Sequence, residues 1–228
     1  MNKMNISLIK IKPSTRKGKR FDAFIEQNNK QYKISFGDST RESYPYHKDK
    51  KRKILYMKRH LRFLKKTFNK IEPPILSTCI LWGYPDLNKS INAFKKQLKN
   101  IKKGIAFKSD IELYENIKRK MKNKNKGLWS ARLSQQLSNE YKKQFINLYN
   151  KPYAYINFSF EPKNQLKKWT KEDWQYVDNK GSKRYLPKII IEQLTEKQKQ
   201  QISKNKILDD KSKWPKFLIN KMRKNNII

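Results

Sequence analysis

Hydrophobic and polar residues alternate from Ile6 to Lys12, and a similar two-residue period recurs in Phe21–Glu26 and Tyr32–Phe36. Half-buried strands carry this period because successive side chains point to opposite faces of a sheet. Asn28-Asn29 suits a tight hairpin turn between the last two runs, and Ser14–Arg20 makes a basic loop between the first two. The pattern predicts a three-stranded antiparallel meander. From His47 to Phe68 the period changes. Ile54, Met57, Leu61, Leu64 and Phe68 recur at spacings of three and four, which predicts a helix whose other positions are nearly all Lys or Arg. Pro73-Pro74 stops that helix, and Ile75–Trp82 is an apolar run that periodicity alone leaves open between short helix and buried strand. Asp86 is placed to cap a further helix with Leu87, Ile91, Phe94, Leu98 and Ile101 on its inner stripe. Lys95, Lys96, Lys99, Lys102 and Lys103 fall in its C-terminal half, where cations suit the helix dipole. Gly104 ends it.

A second set of elements follows. Ser109-x-x-Glu112 reads as a capping box opening a helix with Leu113, Tyr114, Ile117 and Met121 inward. RKMKNKNKG then reads as a cation-rich connector. A longer helix runs from about Ser130 to Tyr149, with Leu133, Leu137, Tyr141, Phe145 and Leu148 on one side, and Pro152 terminates it. Tyr153–Phe160 is aromatic and extended, suited to core packing or, alternatively, to stacking on bases. Thr195-x-x-Gln198 opens another polar helix, and Trp214-Pro215 precedes a short basic one. The fold class expected is α+β: a basic module over residues 1–104, a meander packed with helices, then a mainly helical basic module over residues 105–228.

Between these helices lies KKWTKEDWQYVDNKGSKRYLPKIIIEQL, residues 167–194, where two tryptophans, a capping signal, a glycine turn and a proline-started helix are gathered. Thr170-x-x-Asp173 predicts a helical turn bringing Trp169 and Trp174 toward one face, and Asp178-Asn179-Lys180-Gly181 a loop. Pro187 suits a first helical position, with Ile189, Ile190, Ile191 and Leu194 following. The plain reading is a small subdomain with its tryptophans in the core. The sharper one places Lys183, Arg184 and Tyr185 on an exposed loop that touches phosphate or base.

Charge changes this picture most. Across 228 residues, 56 Lys+Arg against 19 Asp+Glu leave a formal net charge of +37. A compact fold with that excess repels itself unless a polyanion or counterions neutralise it, so a polyanionic partner is the default expectation. The preference for Lys, Asn and Ile matches A-rich codons, but that bias would enrich Glu as well. It accounts for the choice of lysine, a flexible point charge, and not for the sign of the imbalance.

Other chemistry is thinly represented. Cys79 is the single cysteine and His47 and His60 are the two histidines, which excludes an internal disulfide and any zinc cluster of usual spacing. No cofactor is expected. The longest uncharged stretch, Pro73–Pro85, is too short and too rich in Pro and Gly to be a transmembrane segment. Residues 1–13 lack the apolar core of a secretory signal, so a soluble protein of cytosol, nucleus or virion is expected. Phosphate-binding glycine loops, H-E-x-x-H and G-x-S-x-G are absent, and Glu172 and Asp173 adjoin within a capping signal without a histidine beside them. The expectation is a protein that is not an enzyme.

Two ordered sets of motifs are familiar. KPSTRKGKRFDAF, KISFG, HKDKKRKILYMKRH and ILWGYPDLNKSI make residues 10 to about 100 similar to an uncharacterised domain of nucleocytoplasmic large DNA viruses. ELYENIKRKM, GLWSARLSQQLSNEYKK, KKWTKEDW and KRYLPK make residues 112 to about 200 resemble a second uncharacterised small basic domain of such viruses, phages and bacteria. That family usually continues from GLWSAR through a glycine-rich basic loop, whereas this chain has YNKPYAYINFSFEPKN. The resemblance implies a virion or viral nucleic-acid setting, with host cytoplasm or nucleus during infection, and brings no catalytic residues with it.

The candidate nucleic-acid contacts are Arg16, Lys17, Lys19 and Arg20 on the first loop, Lys51, Arg52, Lys58, Arg59 and Arg62 on the first helix, and Lys183 with Arg184. They point to a sequence-indifferent binder that compacts or packages a genome by neutralising phosphate. The alternatives are a minor capsid or internal virion protein pairing with acidic capsid surfaces, and an organellar ribosomal protein.

Overall fold

The structure, a computed structural model, describes residues 5–101, 103–127, 129–159, 173–177, 185–204 and 214–225. The fold is α+β, and the chain divides into two compact units, residues 1–164 and 165–228.

The first unit opens with the meander. Strands β1 (Ile6–Pro13), β2 (Lys19–Gln27) and β3 (Lys30–Asp38) form an antiparallel sheet in chain order. Asn28 and Asn29, with φ of 52° and 62°, make the two-residue hairpin turn whose twist matches the flanking strands. The regular alternation expected of β1 is broken by a bulge between Leu8 and Lys10. The extra residue, Ile9, is exposed, and the shift in parity turns Ile11 rather than Lys10 toward the core. Asp22 is buried on the opposite face of β2, where Ser14 and Ser35 each donate to its Oδ1 at 2.7 Å. Those two hydroxyls, Ser35 foremost, together with the Lys33 ammonium, hold its carboxyl below the usual range despite burial. Asp22 thereby fastens the base of the basic loop to the sheet.

The expected His47–Phe68 helix is several elements. A short helix α1 (Tyr44–His47) ends at Lys48, which adopts φ of 55°. Helix α2 (Lys50–His60) starts at Asp49, whose carboxylate accepts from the amides of Lys51 and Arg52. The chain then tightens into a 3₁₀ turn, Leu61–Leu64, and ends in strand β4 (Thr67–Phe68), where pairing with a later strand replaces helical hydrogen bonds. Pro73 and Pro74 do not merely stop a helix. They begin α3 (Pro73–Leu76), a position at which the missing N–H costs nothing. A π-helical turn, Ser77–Leu81, continues it and settles the Ile75–Trp82 ambiguity in favour of helix.

Helix α4 (Leu87–Ile101) has the expected Asp86 cap, with Lys89 N donating to its Oδ1 at 2.6 Å. Strand β5 (Phe107–Lys108) follows, then α5 (Ile111–Lys124), α6 (Ala131–Tyr149) and strand β6 (Tyr155–Phe158). Strand β6 pairs parallel to β4 and antiparallel to β5. The cap of α5 lies one residue beyond the expected one. Asp110 accepts from Leu113 N, while Ser109 donates to the Tyr153 carbonyl at 2.6 Å. The RKMKNKNKG stretch is helical as far as Lys124 rather than a connector. One hydrophobic core joins Ile6 and Phe36 of the sheet, Met57 of α2, Phe94 of α4, Phe145 of α6 and Phe158 of β6. The module boundary placed at residue 104 therefore falls inside this unit, because side chains on both sides of it share that core.

A buried ion cluster crosses the same boundary. The Lys53 ammonium lies 3.1 Å from Asp110 Oδ1 and 2.8 Å from Glu112 Oε2, and donates to the Gly83 carbonyl at 2.8 Å. The side chains of Lys53 and Asp110 are 5% and 3% exposed. Tyr149 donates to Asp110 Oδ2 at 2.5 Å, and Tyr141 accepts from Asp110 N while donating to the Ala154 carbonyl. Burial, and then the Asp110 charge, push both phenols well up, so they remain donors.

In the second unit Trp174–Tyr176 pairs antiparallel with Tyr185–Pro187, and helices Lys188–Glu192, Glu196–Lys204 and Lys216–Lys224 follow. Val177, Leu186, Ile190, Leu194, Ile202, Leu218 and Met222 form its core, with Trp174 and Trp214 packed against them. Trp174 begins a strand, not a helical turn, because Asp173 before it has φ of 45°. Thr170 and Trp169 lie outside the described residues. Pro187 closes the strand one residue before the helix it is expected to start. Thr195 and Gln198 do form a reciprocal capping box.

Two outcomes follow for stability. Lys53→Met leaves two carboxylates without their cation and is expected to cost about 3–5 kcal/mol in denaturant unfolding. Adding Asp110→Asn and Glu112→Gln should recover part of that cost, and a value for K53M alone below about 1 kcal/mol would show the cluster to be effectively solvated. The Asp22 carboxyl titrates lower in the folded state, so its contribution is complete above the unfolded value of about 3.9 and is lost as pH falls through the folded one. Unfolding midpoints taken from about pH 6 down to about pH 2 should therefore fall more steeply for the native chain than for Asp22→Asn.

Candidate nucleic-acid interface

Asp49 caps the start of α2, and the inward ion pairs of Lys53 set which side of that helix faces the core. Lys53, Met57, Leu61 and Leu64 are buried along one stripe. Arg52, Leu55, Tyr56 and Arg59, on the adjoining side of the helix, then face a cleft of about 950 Å³. Its second wall is the end of β3 and the turn after it, from Gly37 to Ser43, with Lys19 at the start of β2. The third is α3 and the π turn, with Pro73, Ser77 and Leu81, closed by Trp82.

Aromatic rings line one side in a continuous stack. Tyr56 and Trp82 are parallel within 8° with centroids 4.1 Å apart, and Tyr56 and His60 are parallel within 12° at the same separation. His47 tilts onto Trp82 at 5.3 Å, and Phe63 onto His60 at 6.1 Å. Tyr56 thus has both faces covered and braces the wall. Burial pushes its phenol up to about 12, against hydrogen bonds with Ser77 and Thr78 that pull it down. His47 accepts from Asp49 N at Nδ1, and burial followed by the Arg52 charge holds its pKa down, so it is neutral at pH 7. Phe63 and Leu55, by contrast, remain 47% and 57% exposed.

The rim is cationic. Lys19, Arg41, Arg52 and Arg59 line the cleft, against Asp38 and Glu42. Asp38 accepts from both the amide and the hydroxyl of Thr40 and lies 3.7 Å from Arg41, and Glu42 lies 3.8 Å from Arg52. Among the described residues, Lys19 and Arg59 have no carboxylate within ion-pair distance. What this arrangement can do is hold an anion beside exposed apolar surface. Among the described residues no group of three His, Cys, Asp or Glu side chains is placed to hold a metal ion. Burial pushes the Cys79 thiol far up, which leaves it a packing residue.

The structure brings Lys19, Arg52 and Arg59 together at this cleft, out of the sequence-predicted residues. Arg16 and Lys17 are exposed on the adjoining loop, and Lys51, Lys58 and Arg62 on the flank of α2, with the Arg62 guanidinium 5.0 Å from the Phe63 ring centre. Arg20 has a bracing role. Its guanidinium donates to the carbonyls of Asp38, Ser39 and Arg41, the last at 2.7 Å, and covers Tyr46. Lys183 and Arg184 lie outside the described residues. Sequence reasoning missed Arg41 and the ring stack. Tyr56, His60 and Phe63 do recur at helical spacing beside the cationic positions, whereas Trp82 comes from a distant segment and gives no local signal.

A model of a family of unknown function, DUF5754, matches residues 9–60, which takes in the meander from Ile9 onward, α1 and α2. No curated protein and no solved structure matches the chain.

One glycine lets the end of β3 approach Leu81 of the π turn closely. Gly37 has φ of +75°, and a Cβ there would lie 2.6 Å from Leu81 Cδ1 and 3.2 Å from Arg20 Cβ. Gly37→Ala is expected to lower stability by about 1–2 kcal/mol through the left-handed conformation alone, with the Leu81 clash adding to it. Thermal unfolding of the variant measures this, and an unchanged midpoint would refute the close approach.

Proposed function

We propose that this chain is a non-enzymatic nucleic-acid-binding protein that engages the phosphate backbone without regard to sequence. The observation that carries the reading is the convergence of Lys19, Arg52 and Arg59 from separate elements on one cleft. Its two carboxylates are taken up by Arg41 and Arg52, and Lys51, Lys58 and Arg62 extend the cationic face along α2. Charged faces of ordinary proteins mix signs; beyond the pairs of Arg41 and Arg52, this one leaves Lys19, Lys51, Lys58, Arg59 and Arg62 to external anions. Lysine and arginine side chains in this arrangement bind by releasing counterions from the phosphates they neutralise. Compaction or packaging of the genome of a large DNA virus is the setting that suits such a binder and the resemblance of its motifs. No helix among the described residues is long and apolar enough to cross a membrane.

Affinity for a mixed-sequence DNA duplex, measured across a salt series, should fall steeply and equally for unrelated sequences. Replacing Lys51, Arg52, Lys58, Arg59 and Arg62 by Gln should flatten the slope by about 0.9 for each phosphate that is no longer neutralised, with the unfolding midpoint retained. An unchanged slope would exclude this face from the interface. Weak DNA binding near physiological salt, with tight binding to an acidic capsid protein, would transfer the charge to the capsid reading.

A further inference from the structure

We propose that the cleft beside α2 seats an unpaired nucleotide, so that the protein prefers single-stranded nucleic acid to duplex; this rests on the nucleic-acid reading above and narrows it to a substrate class. The cleft's volume, about 950 Å³, is in the range of small-ligand sites, whereas a surface that tracks a duplex backbone needs no such concavity. Its contents combine two chemistries. Lys19 and Arg59 are cations with no carboxylate partner among the described residues, and Leu55 on α2 and Phe63 in the 3₁₀ turn, both lining the cleft, are large apolar side chains left about half in water.

A duplex hides the faces of its bases within the stack and presents phosphate and sugar. Bound here it would satisfy the cations and leave Leu55 and Phe63 wet. A single strand can place a phosphate on Lys19 and Arg59 and lay the adjoining base against the Phe63 ring, covering apolar surface on both partners. Phe63 is the ring of the stack that is open to this. Tyr56 is sandwiched between Trp82 and His60 and acts as a rigid wall behind it. The Arg62 guanidinium over Phe63 adds a planar cation to the same platform. Ser43, 3% exposed and among the lining residues, carries an Oγ with no hydrogen-bond partner, a polar group the protein itself does not use.

The test uses the full chain with a labelled oligo-dT of about 20 nucleotides and a mixed-sequence duplex of equal length, read by fluorescence anisotropy. The native chain should bind oligo-dT more tightly. Phe63→Ala should weaken oligo-dT binding about tenfold or more while leaving duplex affinity and its salt slope unchanged. Phe63→Tyr should retain oligo-dT binding, and Arg59→Gln should weaken both ligands and flatten both slopes. If Phe63→Ala lowers the unfolding midpoint, Leu55→Ala, at the more exposed of the two sites, serves in its place with the same expectation. Equal weakening for the two ligands, no weakening for either, or displacement of oligo-dT by polyglutamate as readily as by DNA would overturn the single-strand site while leaving backbone binding in place. Failure of the native chain to bind either nucleic acid near physiological salt would overturn the nucleic-acid reading itself.

Discussion

Lys53 sits where a lysine ammonium is least welcome, and the first unit is arranged to accommodate it. Removing an isolated ammonium from water costs several kcal/mol even after relaxation. Here the penalty is offset by the Gly83 carbonyl, by Asp110 and Glu112, and by the ring of Tyr44, 5.2 Å from the nitrogen. The acceptors come from the turn after the π helix and from the start of α5, so Lys53 fixes α2 against both. The carboxylate that receives it is held in turn by Tyr149 and by the amide of Leu113. With that face of α2 committed inward, the neighbouring stripe has no choice but to face the cleft, and the cations and rings there inherit their positions from an interaction on the other side of the helix.

This arrangement explains how a chain of net charge +37 keeps a folded first unit. Beside a few surface pairs such as Asp38–Arg41 and Glu42–Arg52, several carboxylates are committed to structure. Asp22 holds a loop, Asp49, Asp86 and Asp110 cap helices, and Asp110 with Glu112 neutralises the buried lysine. Acids used in this way are not available to the surface of a chain in which 56 Lys+Arg already outnumber 19 Asp+Glu. The cost is mutual repulsion across the surface, relieved by salt or by a bound polyanion.

The alternation of apolar residues made the meander legible, and Asn28-Asn29 its turn, because both are written in neighbouring residues. The cap at Asp86 and the box at Thr195 and Gln198 were legible for the same reason. Ser109 was not a cap because Tyr153, far along the chain, claims its hydroxyl, and α2 ended at His60 because Phe68 is drawn into pairing with β6. Of the cleft, Lys19, Arg52 and Arg59 could be named from charge alone. Its aromatic wall could not, since the stack is completed by Trp82, and the position of Lys53 could not, since nothing near it in sequence distinguishes it from the lysines around it. Local chemistry was readable; what depended on partners tens of residues away was not.

The span of the Lys53 interactions bears on how the chain can be divided. The family match ends at residue 60 and includes Lys53, but Gly83, Asp110 and Glu112 all lie beyond it. A fragment limited to those residues would leave Lys53 without its acceptors and the inner faces of β1 and β3 without α3, the π turn or α4 to cover them. The matched segment is thus a recognisable stretch of sequence without being an autonomous folding unit, and the smallest piece that retains the ion cluster and its tyrosine supports must extend through α6.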